Sequence, residues 1–132
     1  MRKWLNDEFI DTAFSSDEQE MIVKVKVKAH LNTKWILSYQ GLSTYDKIFL
    51  LSLTEAREYE DEERYSVLKC KGTEYANETH WSLRSVGIGG GEEYSSKTFN
   101  SYVDGNGAVN DFGTSIVDDI GVRPAMWIDL NS

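Results

Sequence analysis

Residues 80–96, HWSLRSVGIGGGEEYSS, hold a tryptophan, an arginine and a run of glycines, and their reading decides the fold. As a phosphate-binding loop they would open a doubly wound α/β domain. As a short strand ending in a glycine-rich loop they belong to an antiparallel sheet. A phosphate cradle presents backbone amides at a helix start, usually with a lysine after the last glycine. Here GIGGG runs into Glu92 and Glu93, two carboxylates that repel phosphate. Gly87, Gly89, Gly90 and Gly91 also lack the spacing of a dinucleotide fingerprint, and no βαβ pattern surrounds them. The stretch therefore splits into a strand, Trp81 to Ser85, and a mobile loop, Gly87 to Gly91.

Downstream, short apolar pieces alternate with glycine and asparagine: KTFNSYV, AVNDFG and VRPAMWIDL continue WSLRS as an antiparallel meander. DGNG at 104–107 supplies the hairpin residues that tolerate positive φ. Upstream, KIFLLSL at 47–53 reads as a buried strand, followed by a helix over EAREYEDEER capped by Thr54. VKVKVKAH alternates strictly, with Val23, Val25 and Val27 on one side. Lys24, Lys26 and Lys28 form a wet face that guards against edge-to-edge pairing. At the amino end, Trp4, Leu5, Phe9, Ile10, Ala13 and Phe14 return to one face of a 3.6-residue helix. A second helix follows, with Ser16 as N-cap and Gln19 completing a capping box. Helices first and a twisted antiparallel sheet last make an α+β fold.

The 132 residues suffice for a single domain, and 40% hydrophobic residues with Trp 4, Tyr 7 and Phe 5 exclude a disordered chain. A net charge of -8 opposes nucleic acid. No apolar run reaches bilayer length, so no membrane insertion is expected. Cys70 is the single cysteine, which forbids an intramolecular disulfide and a cysteine-based zinc site. Flanked by Lys69 and Lys71 in alternation, it reads as an inert buried thiol.

The chemistry-bearing residues are sparse. DGNGAVND begins like a calcium loop, but Ala108 and Val109 stand where an oxygen ligand and a glycine are required, so it reads as a hairpin turn. His30 and His80 are too far apart for a metal motif, and no serine or cysteine sits in a recognised nucleophile setting. The acidic run Glu58 to Glu63 reads as a solvated helix face. Neither metal nor cofactor is expected. Trp81, Arg84, Arg123 and Trp127 leave two readings open: a planar-recognition surface of arginines and aromatic rings, or a scaffold in which arginines pin loops and tryptophans fill the core.

HWSLRSVG, SYVDGNGAVNDFG and IGVRPAMWIDL resemble the bacterial domain-of-unknown-function family numbered sixty-two seventy-three, with its W-W-L-R-S-P-G and G-V-R-P-A-[LV]-W signatures. RKWLNDEFIDTAFSSDEQEMI and DKIFLLSLTEAREY are similar to that family in the same order. His80 replaces the usual first tryptophan, and Val86 the usual proline. Members usually have strands before the R-K-W-L-N helix, so the resemblance implies the later portion of a longer family domain. Such a portion would leave a sheet edge for a homo-oligomer or a partner. More distantly, the chain is similar to C-type-lectin-like domains of the formylglycine-generating-enzyme kind, although that enzyme class needs a cysteine pair. The resemblance implies a C-type-lectin-like recognition scaffold.

The expectation is a non-catalytic binding module for a carbohydrate or protein ligand, carried on a bacterial cell-surface, secreted or cytoplasmic protein. Its candidate site comprises Tyr94, Tyr102 and Phe112 as stacking surfaces, with Asp104, Asn106, Asn110 and Asp111 as polar contacts. Trp81, Arg84, Arg123 and Trp127 are its structural residues. The alternatives are a structural or self-assembly domain, and a hydrolase using Glu92 with Glu93 or Asp118 with Asp119. Adjacent carboxylates on a strand diverge, which disfavours the hydrolase.

Overall fold

The computed structural model describes residues 1–28, 43–60, 80–87, 99–115 and 120–131. Its elements run α1 (Arg2–Trp4), a π-helical turn (Leu5–Phe9), α2 (Ile10–Ala13), α3 (Ser16–Met21), β1 (Ile22–Val23), β2 (Val25–Val27), β3 (Thr44–Asp46) and β4 (Ile48–Phe49). After these come α4 (Leu53–Arg57), β5 (Trp81–Val86), β6 (Phe99–Val103), β7 (Val109–Ser115) and β8 (Ala125–Ile128). The fold is α+β with antiparallel sheets. Two compact units divide it: described residues 1–28, 43–50 and 124–131 form the first, and 51–60, 80–87, 99–115 and 120–123 the second.

In the first unit the amphipathic spacing of residues 2–14 produces the expected helix, which buries Leu5 and Ile10. Phe9 packs between Trp4 and Phe14, with ring centroids 5.1 and 6.2 Å away. Phe14 is extended and ends the helix. The next cap falls one residue earlier than the expected Ser16. Ser15 is the N-cap, its hydroxyl accepting from the Glu18 amide while the Glu18 carboxylate accepts from the Ser15 amide at 2.8 Å. That backbone bond, with the Ser15 hydroxyl, holds the Glu18 carboxyl below its ordinary range. Gln19 serves another purpose: its amide donates to the Ile10 and Phe14 carbonyls in the last turn of the preceding helix.

Asn6 fastens the π-helical turn to β4 with its full hydrogen-bonding capacity. Its amide donates to the carbonyls of Arg2 and Ile48, and its oxygen accepts from the amides of Lys47 and Ile48. Nearby, Arg2 makes a two-pronged contact with Asp46, at 2.9 Å through Nε and 2.8 Å through Nη2. Asp46 is 4% exposed. Burial pushes its carboxyl upward, but the Arg2 hydrogen bond, the Thr44 hydroxyl and the charges of Arg2 and Lys24 outweigh burial and hold it below 3.8. A depressed folded-state pKa contributes stability above the unfolded value and loses it as pH falls through the folded one. Asp46→Asn is therefore expected to cost about 1–3 kcal/mol at pH 7. The gap from wild type should narrow below pH 3.8 in urea titrations, and a gap independent of pH would contradict this account.

The valine and lysine alternation does not make one strand. At Lys24 the chain changes partners: β1 pairs with β8 (Ile22↔Ile128, Val23↔Trp127), and β2 pairs with β3 (Val25↔Asp46, Lys26↔Tyr45, Val27↔Thr44). Val27 is consequently buried while Val23 is exposed. β8 also pairs with β4 (Ile48↔Met126, Phe49↔Ala125), giving a sheet of order β1-β8-β4. The expected meander therefore stops at β7, and from Pro124 onward VRPAMW belongs to the first unit.

KIFLLSL is likewise not a single strand. β4 takes two of its residues, and Leu53 already belongs to α4. The cap is Ser52 rather than Thr54, because Ser52 and Glu55 form the reciprocal capping box. In the second unit β5, β6 and β7 form the antiparallel meander in that order. Leu53 and Ala56 of α4 pack with Trp81, Leu83 and Val103 as its core.

Candidate functional site

Register assigns the two faces of the meander. Trp81, Val103 and Val109 are cross-strand partners, so they share the face that packs with α4. Ser82, Tyr102 and Asn110 are the adjacent set of partners and lie on the opposite face. Asn100 belongs with them, since its amide reaches the Ser82 hydroxyl at 3.3 Å. On this second face the exposed His80 ring stacks on Tyr102, with centroids 5.1 Å apart and planes inclined by 4°. The result is a flat double ring beside two carboxamides, with the Ser82 hydroxyl itself buried, which suits a ligand with apolar ring faces and polar edges.

The turn between β6 and β7 holds this surface in place. Asp104 Oδ1 accepts from the amides of Asn106 and Ala108 at 2.9 and 3.0 Å. The Asp104 amide donates to the Ala108 carbonyl, and Gly107 takes the required positive φ of 89°. Asn110 Oδ1 accepts from the amides of Phe112 and Gly113. Asp111 pairs with Arg57 at 2.8 Å, and the Val109 amide donates to Glu60 at 2.7 Å. Of the expected polar contacts, Asp104, Asn110 and Asp111 are thus engaged in shaping the hairpin, while Asn106 is exposed at its tip. Phe112 is 60% exposed. Tyr94 lies outside the described residues, as do Glu92, Glu93, Asp118, Asp119, His30 and Cys70.

The four aromatic and arginine residues divide between the units. Trp81 is fully buried, and the Arg123 guanidinium carbon stands 5.3 Å from its ring centroid. Arg123 Nη1 is buried without a hydrogen-bond partner among the described residues, so the ring face compensates part of its lost hydration. Residues 120–123 follow β5 closely: Ser82 N donates to the Gly121 carbonyl, and Gly121 N to that of His80. Arg84 forks onto Glu55, Nη1 to Oε2 at 2.5 Å and Nη2 to Oε1 at 2.8 Å. The same Oε2 accepts from the Ser52 amide, so Arg84 clamps the start of α4. Leu53 N donating to Ser85 Oγ, and Arg84 N to the Leu51 carbonyl, complete the seam. Trp127 differs from the core-filling expectation: it sits on β8 in the first unit and is 64% exposed.

Sequence reasoning passed over Glu55, Arg57, Glu60 and His80 as members of this arrangement. Ser52 and Glu55 spell a capping box that was readable. The His80 and Tyr102 stack had no local signal, because it depends on the register of β5 against β6.

Among the described residues no helix is long and apolar enough to cross a membrane, and no three histidine, cysteine, aspartate or glutamate side chains gather as metal ligands. No curated protein and no solved structure matches the chain. A family model does match, and its span of residues 1–130 takes in the described parts of both units. The chain thus belongs to the family described as Domain of unknown function (DUF6273).

Proposed function

We propose that the protein is a non-catalytic recognition module that binds carbohydrate through the meander face carrying His80 and Tyr102. The carrying observation is the parallel stack of those two rings beside Asn100 and Asn110, on the face turned away from α4. Sugars present apolar ring faces flanked by hydroxyls, and stacked aromatics with carboxamides complement both. A protein ligand would use the same rings, with Phe112 as a further apolar contact. The resemblance to C-type-lectin-like domains supports a recognition scaffold by analogy alone. Glycan and peptide arrays probed with the whole chain test the reading. Binding should appear in one ligand class and fall about tenfold in His80→Ala, the worth of one stacking contact. Silence across every class on both arrays would overturn it.

A second reading, self-association, is favoured by a different feature. Trp127, its cross-strand partner Val23, Ile128 and Leu130 are all exposed. Apolar groups concentrated on one short strand and its partner are characteristic of interaction surfaces. Sedimentation showing a strict monomer at high concentration would dismiss this reading.

A further inference from the structure

An open cleft of about 470 Å³ lies within the first unit, in the size range of small-ligand sites. The π-helical turn contributes Asn6 and Asp7, Arg2 and Lys3 precede them, and Lys24 enters from the point where β1 gives way to β2. Tyr45, Asp46 and Lys47 complete the wall. Single π-helical turns inside α-helices recur at functional sites, where they re-aim side chains. The wall has four cationic side chains and two carboxylates, an excess of positive charge on a chain whose net charge is -8.

Part of that charge is committed. Arg2 is bound to Asp46, Lys47 Nζ donates to the Gln19 carbonyl at 2.6 Å, and Asn6 has no capacity left. Lys3 and Lys24 have no hydrogen-bond or ion-pair partner among the described residues, and Lys24 acts only through its charge on Asp46. Both ammonium groups border one polar cleft, and a doubly charged anion there would be attracted by both. A phosphate monoester is such an anion near neutral pH, and lysine binds it as a point charge, whereas a carboxylate brings a single charge. Asp7 repels anions but accepts hydroxyl hydrogens, and the Tyr45 ring, 60% exposed, offers a flat apolar surface. Phosphate, hydroxyls and a ring face together describe one ligand class.

We infer that this cleft binds a phosphorylated sugar, its phosphate between Lys3 and Lys24, its hydroxyls toward Asp7 and its ring against Tyr45. The site is separate from the meander face, and its test does not depend on that reading. Glucose 6-phosphate, glucose and inorganic phosphate serve as probes in amide NMR titrations of the whole chain. Glucose 6-phosphate should shift saturably the amides of residues 3, 7, 24 and 45, with glucose far weaker and inorganic phosphate competing. Lys24→Gln should weaken binding about tenfold, the worth of one charge-assisted hydrogen bond, while Lys24→Arg retains it. Lys28→Gln makes the same charge change outside the cleft wall and should leave affinity within about twofold. Equal binding of glucose and glucose 6-phosphate, equal losses in Lys24→Gln and Lys28→Gln, or no saturable shifts at tens of millimolar would each overturn the inference.

Discussion

Trp81→Ala is expected to lower the stability of the protein by about 3–5 kcal/mol, a large share of the roughly 5–15 kcal/mol typical of a folded domain. Trp81 is fully buried and is the largest side chain in the core it shares with Leu53, Ala56, Leu83 and Val103. Truncation opens a cavity wide enough to expose both the helix and the strands around it. A second cost arises at Arg123, whose guanidinium rests on the ring and whose Nη1 is buried without a hydrogen-bond partner among the described residues. Without the ring, that half-buried guanidinium loses its compensating surface. Trp81→Phe keeps an aromatic face beneath Arg123 and should cost appreciably less than the alanine variant. Guanidinium denaturation of both variants separates the contributions, and a loss below about 1.5 kcal/mol in Trp81→Ala would contradict a fully packed indole.

Gly87→Ala should destabilise the protein by about 1–3 kcal/mol or more, an unusual loss for the addition of one methyl group. Gly87 is buried, and a β-carbon there would stand 2.5 Å from the Gly113 Cα and 2.7 Å from the Phe112 carbonyl oxygen. Both obstacles are backbone, so no side chain can turn aside to make room. Gly113 cannot readily yield either, because its φ of 101° lies where only glycine is comfortable. The two glycines let the end of β5 touch the middle of β7. A thermal melt of Gly87→Ala within 1–2 °C of wild type would show that this approach relaxes freely.

The same residue marks where the sequence misleads. Gly87 heads a glycine run and reads as the start of a mobile loop, yet it follows β5 directly and packs against β7. A glycine at the end of a strand pattern also signals close backbone approach, and that was the applicable signal. Local chemistry was otherwise legible. The amino-terminal helix followed from its 3.6-residue spacing, and the DGNG hairpin from the capacity of aspartate and glycine to fold a turn. Both N-caps were misplaced by one or two residues, because SSDEQ and SLTEA each contain overlapping candidates. Long-range partners were not legible. Nothing near Lys24 announces that Val23 will face Trp127 while Val25 faces Asp46, and that exchange divides an apparently continuous strand. For the candidate site, sequence brought Tyr102, Asp104, Asn110 and Asp111 to one hairpin but not the occupation of three of their side chains by the turn and Arg57.

The placement of β8 has a consequence for the order of events during synthesis. β8 is the middle strand between β1 and β4, so, among the described residues, residues 22–23 and 48–49 have no sheet partner until residues 125–128 exist. The meander strands β5, β6 and β7 instead pair with one another. During synthesis β5, β6 and β7 therefore all appear before the strand that joins β1 to β4. The sheet that holds β1 and β4 is thus completed after the meander strands have been made, and for that interval those two strands depend on whatever shields unpaired strands in the cell.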